Sequence, residues 1–440
     1  MPLAKIIQQK IFSWRDVEAS GELERLRMVV EAIPDDDLMK ALEGERKGRR
    51  DDYPLRPTWN SILAGVVYQH ISIESLRREL LRNGELREAC GFDPANGERA
   101  VPSKDAYSSL MKKLMKKQEM IDEMLERIIE ELKKYLPDLG RHLAIDSKAI
   151  ASYAKGKKDS QESSDKQADW GKKTYKGKRK DGSLWEKVVS WFGYKLHLLV
   201  DTTYELPVGY RVTRASRPDI EEMVPMVKDA LQKHFETIET LAGDKAYDSG
   251  PNNEALYDEH GIKPVIDIRN YWKDGEETKA LDPDGRNNIA YDYRGTVYCY
   301  CPSNNERCEM AFCGFEKDRK TLKYKCPSAA YGTQCKGYAQ CSEGTKGKIV
   351  RIPLDTDRRV FVPIARSSYK WQRIYNGRTA VERVNSRIDL SFGFEHHFIR
   401  GKSKMTLRVG FALLVMLSMA LARIKRNQKK DMRSLIKQAA

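Results

Sequence analysis

Three acidic side chains set out the chemistry this chain could do. Asp146 closes the apolar run His142-Leu-Ala-Ile-Asp-Ser-Lys148. Asp244 closes a second run, Ile238-Glu-Thr-Leu-Ala-Gly-Asp-Lys-Ala-Tyr247. Glu382 lies far downstream, in Tyr375-Asn-Gly-Arg-Thr-Ala-Val-Glu-Arg-Val-Asn-Ser-Arg387. Two aspartates at strand ends and one glutamate on a helix offer hard oxygen donors of the kind that bind Mg²⁺ or Mn²⁺. A pair of such ions activates a water or hydroxyl and neutralises the leaving oxygen in an in-line displacement at phosphorus.

Each carboxylate has a structural rival. Thr379-Ala-Val-Glu382 is also a capping box, in which Glu382 would serve only the helix start. Asp146 could form a turn before Ser147, and Asp244 could cap a turn after Gly243. Asp248 competes with Asp244, which is preferred because it directly follows its apolar strand. Glu395 competes with Glu382 but sits beside Gly393 and His396-His397, past the expected helix end. Tyr375, Arg378 and Glu382 fall at i, i+3 and i+7, one face of a continuous helix, with Val381, Val384 and Ile388 on the neighbouring buried face. Arg383 and Arg387 are placed to reach phosphates.

The surrounding elements must position these groups. Residues 1–138 read as helical. Within them, Ser103 caps a long amphipathic helix through Leu110, Leu114, Ile121, Leu125, Ile128 and Leu132. Residues 139–269 switch to strand, hairpin, helix, strand, helix and strand: Leu143–Asp146, Val188–Val200 with Pro207–Thr213, Asp219–Phe235, Thr237–Ala242, Asn252–His260 and Ile262–Ile266. This order fits a mixed sheet flanked by helices. Between the first strand and the hairpin, residues 155–187 carry eleven Lys or Arg and six Asp or Glu, which reads as a surface loop. Trp170, Tyr175 and Trp185 lie among its lysines, able to stack bases or to tuck the loop onto the domain. Residues 270–364 break the rhythm as an insertion. Residues 365–440 return to helix, complete the catalytic core and end in a buried helix from Met405 to Ile424 with a basic tail.

With 440 residues, the chain exceeds one ordinary core. A net charge of +15 favours a polyanionic partner, nucleic acid before anionic membrane. The start, Met1-Pro-Leu-Ala-Lys-Ile-Ile, does not read as a signal peptide. The apolar stretch Val409–Ala422 is short for a bilayer span, which needs about 20 residues. Cytoplasmic residence is the expectation. Seven of the eight cysteines fall between Cys299 and Cys341. Their spacing lacks two clean Cys-x2-Cys knuckles, so the choice stays open between a structural zinc on Cys301, Cys326, Cys335 and Cys341 and reduced thiols packing a small insert.

The segment Tyr375…Arg378…Glu382 resembles the Tyr-x2-Arg-x3-Glu-x6-Lys signature of bacterial DDE insertion-sequence transposases, with Asp389 in place of the final lysine. Leu143–Lys148, Trp191–His197, Glu205–Pro207 and Gly243–Asp248 are similar to that family's central strands. Leu76–Leu80, Cys90–Phe92 and Val101–Ser103 are similar to its leading helical region. The resemblance implies an α/β, ribonuclease H-like catalytic domain with an N-terminal helical domain and a Cys-rich insertion. It implies two Mg²⁺ or Mn²⁺ ions on Asp146, Asp244 and Glu382; the residues expected on DNA are Tyr375, Arg378, Arg383 and Arg387. Partners would be double-stranded transposon ends and target DNA, bound by a homodimer in a bacterial cytoplasm at the nucleoid. Some relatives carry a similar Cys-rich insert, with a Tyr-x-Cys-Pro segment like Tyr324–Pro327. No nucleotide cofactor is expected, since no Gly-x4-Gly-Lys-Ser/Thr motif occurs. Two alternatives stand beside this reading: a ribonuclease H-like nuclease or resolvase without strand transfer, and an inactive DNA-binding protein.

Overall fold

The computed structural model describes residues 22–46, 54–157, 162–179, 181–282, 284, 287–341 and 347–435; the Met1–Ile7 reading lies outside them. The chain divides into two compact units. One takes the N-terminal residues to Tyr135 with Ile388–Ile399 and Ser403–Ala440, and the other takes Leu136–Arg387 with Arg400–Lys402.

The first unit opens with α1 (Glu22–Ala32), α2 (Asp36–Gly44), α3 (Leu55–Val67), α4 (Ile73–Arg82), α5 (Gly84–Cys90), α6 (Lys104–Lys116) and α7 (Gln118–Tyr135). Side-chain caps start three of them. Ser72 Oγ accepts from Ser75 N at 3.1 Å, Asn83 Oδ1 from Leu86 N at 2.9 Å, and Ser103 Oγ from Ala106 N at 3.2 Å. The long helix expected from Ser103 is two helices, broken at Lys117 (φ −109°, ψ 30°). Leu110, Leu114, Ile121 and Leu125 keep one phase across the break, so the periodicity carries no sign of it.

The second unit is built on a mixed sheet of six strands among the described residues: β1 (His142–Ala151), β2 (Asp169–Lys178), β3 (Leu184–Asp201), β4 (Pro207–Arg214), β5 (Thr240–Gly243) and β6 (Lys263–Ile266). The inner half of β3 pairs antiparallel with β1 and β4, while β1, β5 and β6 run parallel. The resulting order, β4–β3–β1–β5–β6 with helices α8 (Met223–Lys233) and α9 (Gly250–Glu254) in the connections, is the ribonuclease H-like arrangement. Two expectations change. Strand β1 does not end at Asp146 but runs on to Ala151, held by β3. Much of the expected loop at 155–187 is the outer ribbon of β2 and β3. Its polar residues alternate on two exposed faces, so the sequence shows no buried stripe to mark a strand.

The turn that enters β1 depends on Gly140. Its φ is +88°, and a Cβ there would lie 2.2 Å from the Phe235 ring. Its amide donates to Asp201 Oδ2 at 2.8 Å; that carboxylate also accepts from Thr203 and Tyr204 at 2.9 and 2.6 Å. Gly140→Ala is therefore expected to cost about 2–4 kcal/mol, read by denaturant unfolding, through left-handed strain plus overpacking.

The insertion folds as two small sheets. Strands β7 (Lys279–Ala280), β8 (Ile289–Tyr291), β9 (Val297–Tyr300) and β10 (Arg307–Glu309) form one. Strands β11 (Ala311–Glu316), β12 (Thr321–Lys325) and β13 (Ile349–Pro353) form the other, with α10 (Pro327–Tyr331) and α11 (Tyr338–Cys341) between β12 and β13. Ile289, Val297, Met310, Leu322, Tyr324, Ile352 and Phe361 give it an apolar cluster of its own. At its exit Arg366 is buried; its guanidinium donates to the carbonyls of Ile266 (3.1 Å), Val360 (2.6 Å) and Arg359 (3.0 Å).

Two helices follow, α12 (Tyr369–Asn376) and α13 (Thr379–Phe392), then α14 (Lys402–Lys425). Most of α14 belongs to the first unit, and its residues Val409–Ile424 are all buried. Phe411 meets Trp59 edge-on at 5.6 Å, Lys425 pairs with Glu131 at 3.2 Å, and Arg426 pairs with Glu24 and Glu31. Among the described residues α14 alone is long and apolar enough to cross a membrane by length and composition, and 89% of that window is buried inside the protein. A helix apolar all round is a core helix when protein covers it.

His397 of the same unit has its pKa pushed down to about 4 by burial and by Arg408. The unfolded chain takes that proton near pH 6.5 and the folded chain only near 4. Stability from this group is present above 6.5 and lost as the pH falls towards 4, with a slope of at most about 1.4 kcal/mol per pH unit. Denaturant titrations from pH 7 to 4 are expected to show a shallower fall for His397→Gln than for the parent.

Candidate active site

Strand register brings the two aspartates together. Ala144 of β1 pairs with Ala242 of β5, so Asp146 and Asp244, each two residues on, stand level on adjacent parallel strands. Asp244 lies just past the end of β5, where its Oδ1 accepts from Ala246 N at 2.8 Å. Asp146 stays within β1, opposite Leu198, and its Oδ1 accepts from Ser147 N at 2.8 Å. Burial, with the Asp244 charge beside it, pushes Asp146 up to about 6; Ser147 N–H, Lys173 and Arg378 work the other way. Two carboxylates crowded in this way favour a shared cation.

Glu382 reaches the pair through one arginine. Arg378 Nη2 donates to Glu382 Oε1 at 2.7 Å, and its Nη1 lies 3.8 Å from Asp146 Oδ2. The helix expected across Tyr375–Glu382 is not continuous: α12 stops at Asn376 and α13 starts at Thr379, around Gly377. The reciprocal capping box is not the arrangement adopted. Thr379 Oγ1 donates to Asn376 O at 2.9 Å and accepts from Arg383, while Glu382 turns to Arg378. Tyr375 stacks on the buried Trp371 ring at 4.6 Å and 12°. Trp371 is packed inside the protein. Burial, then Asp267, raises the Tyr375 hydroxyl above its ordinary value.

The other predicted residues are placed as follows. Arg383 Nε meets Glu205 Oε1 at 2.9 Å, and Arg387 Nη2 donates to Glu205 O at 2.8 Å, so both tie α13 to the β3–β4 turn. The rival Asp248 is buried, accepts from Arg269 N at 2.9 Å and pairs with Arg359 at 3.1 Å. The rival Glu395 is exposed beyond the end of α13 and belongs to the first unit. Two participants escaped the sequence reading. Lys173, on β2, acts on Asp146 across the fold. Tyr247 is fully buried with a hydroxyl lacking a partner among the described residues, in the field of Asp219, Asp146 and Asp244. Its place in Gly243–Asp248, three residues after Asp244, was the available signal.

Among the described residues no three His, Cys, Asp or Glu close around a common point as they stand. For the carboxylates a guanidinium occupies the gap, and the all-oxygen donor set suits a hard divalent cation.

Two of the insertion's thiols stand opposite one another. Cys299 faces Cys308 across β9–β10, and burial followed by the neighbouring sulfurs of Cys308, Cys326, Cys335 and Cys341 pushes Cys299 up to about 12. Burial opposes ionising Cys301, yet the N–H groups of Ser303 and Asn304, the Cys335 thiol and Gly337 N–H outweigh it and lower its pKa. Asn288 Nδ2 donates to Cys341 Sγ at 3.6 Å. All eight cysteines are unbridged.

A mixed sheet in this order, with acidic side chains meeting at its centre, defines a ribonuclease H-like catalytic domain. The model of the transposase DDE domain family matches residues 137–418, and the chain belongs to that family. A solved structure described as a piggyBac transposase synaptic complex with hairpin DNA aligns over 94% of this chain and 79% of its own, at 12% identity and a TM-score of 0.39. No curated protein matches the chain.

Proposed function

We propose that this protein is the DNA transposase of a bacterial insertion sequence. It binds the terminal inverted repeats as a homodimer, cleaves a strand and joins the freed 3′-OH to target DNA. The observation that carries the reading is the side-by-side Asp146–Asp244 pair linked to Glu382 by Arg378. Asp146, Asp244 and Glu382 would hold two Mg²⁺ or Mn²⁺ ions, which when bound activate the attacking oxygen and offset charge on the leaving one. Tyr375, Arg378, Arg383 and Arg387 would position the phosphate backbone, as cations and hydroxyls commonly do.

The test is cleavage and joining on a labelled duplex carrying the element's own end, with Mg²⁺, Mn²⁺ or EDTA. Metal-dependent cleavage followed by joining supports the transposase. Cleavage without joining points to the nuclease or resolvase. Binding with no cleavage in any metal points to an inactive DNA-binding protein.

For the insertion we infer a structural zinc held by Cys301 and Cys335 with Cys326 and Cys341, four unbridged thiols of one small insert that would have to draw together to bind it. Purified protein is expected to carry about one zinc per chain by elemental analysis. Cys335→Ala should abolish that content; a metal-free parent would sink the inference.

A further inference from the structure

We propose that the ribbon formed by β2 and the outer half of β3 is a DNA-binding arm that lies in a groove of duplex DNA beside the candidate active site. This rests on the transposase reading and adds a contact surface to it. Ten residue pairs, from Asp169–Gly193 to Lys178–Leu184, make the ribbon, and a turn closes it with Arg179 N donating to Ser183 O at 2.8 Å. Residues Leu184 to Ser190 are exposed throughout, Leu184 at 83% and Val188 at 56%. A two-stranded ribbon with neither face packed is marginal in water, so its form calls for a partner along its length.

Its construction is specific. Trp191 lies across Gly171 and Trp185 across Gly177. A Cβ at either glycine would come within 2.5 Å of the facing indole. Both pairs sit on the same face of the ladder, six residues apart on each strand, with the Lys173–Val189 and Tyr175–Lys187 pairs between them. The indoles thus take the space that a side chain on the facing strand would need. The root is anchored where Trp170 donates to Lys157 O at 2.8 Å and meets Phe192 edge-on at 5.7 Å.

Charge chooses the partner. Residues 169–193 hold seven Lys or Arg against three Asp or Glu. A second copy of so cationic an arm would repel it, whereas a phosphate backbone complements it. The major groove of B-DNA admits a two-stranded β-ribbon. Strand β3 runs unbroken from the ribbon to Leu198, the residue opposite Asp146 on β1, so DNA followed along the ribbon leads to the carboxylates.

The test is a Lys172→Gln, Arg179→Gln, Lys187→Gln triple variant of the full chain, binding a 30-base-pair duplex in EDTA across a salt series. If each cation meets a phosphate, the slope of log affinity against log salt is expected to fall by about 2–3. Affinity near 0.1 M salt should drop roughly 10–100-fold, with an unchanged melting midpoint. Should the triple variant fold poorly, Arg179→Gln alone should lower the slope by about 1. An unchanged slope overturns the arm while leaving the transposase reading intact. A variant that loses dimerisation by light scattering but keeps the parental slope assigns the ribbon to a second copy and overturns the proposal. A parent that binds no duplex DNA removes the transposase reading itself.

Discussion

Asp146→Asn is expected to lower strand cleavage by roughly 10³-fold while raising the unfolding free energy in EDTA by about 2 kcal/mol at pH 7. The activity loss follows from deleting a charged oxygen from the point where phosphorus would be attacked. The stability gain follows from crowding. A carboxyl carried from 3.8 to about 6 by burial and Asp244 is ionised in the folded protein against its surroundings. Each pKa unit corresponds to about 1.4 kcal/mol, discounted here because part of the side chain meets solvent. A raised carboxylate pKa contributes stability that is present below 3.8 and lost as the pH rises through 6. The variant should therefore gain on the parent above pH 6 and match it below pH 4. Mg²⁺ should raise the melting midpoint of the parent but not of the variant, since a ligand stabilises only the state that binds it. A variant that cleaves normally, or melts lower than the parent at pH 7, would contradict this account of the site.

Arg366→Met is expected to destabilise the second unit by about 3–5 kcal/mol. Arg366 is 6% exposed, and its guanidinium donates to three carbonyls, one at the end of β6 and two at the exit of the insertion. Methionine matches much of its volume but none of its donors, leaving two buried acceptors and one part-buried acceptor without them. Burial draws the guanidinium pKa down to about 10, against the opposing charges of Asp248 and Asp267. It remains a cation at any working pH. Lysine should rescue poorly, because a single ammonium cannot span three acceptors set for a planar fork. Denaturant unfolding decides the matter, and a loss under 1 kcal/mol would show that water replaces the fork without cost.

What the residues revealed and what they hid follow a physical division. Asp146 and Asp244 were legible because apolar runs lead directly into them, and a parallel sheet places such residues side by side. The β3–β4 hairpin and the buried α14 were legible from hydrophobic pattern. Arg378 was assigned to DNA, yet in this structure it bridges Asp146 and Glu382, a relation between β1 and the start of α13 that no local spacing encodes. The contacts of Arg383 and Arg387 with Glu205 lay hidden because that partner is remote in sequence. The break at Lys117 lay hidden because the apolar phase runs through it. The ribbon of β2 and β3 lay hidden because two solvent-facing sides leave no stripe to detect.

The first unit closes around a helix made from the far end of the chain. A ribosome finishes α7 and then adds some 250 residues before the segment from Ile388 supplies the rest of that unit. At about 5–20 residues per second, this is a delay of roughly 10–50 s. During it, the groove that later takes Phe411 against Trp59 has no occupant. The second unit, nearly contiguous, has most of its residues in hand earlier. The helical unit is thus the last to mature, and a message truncated before Lys402 would leave the N-terminal helices without α14 to complete their core.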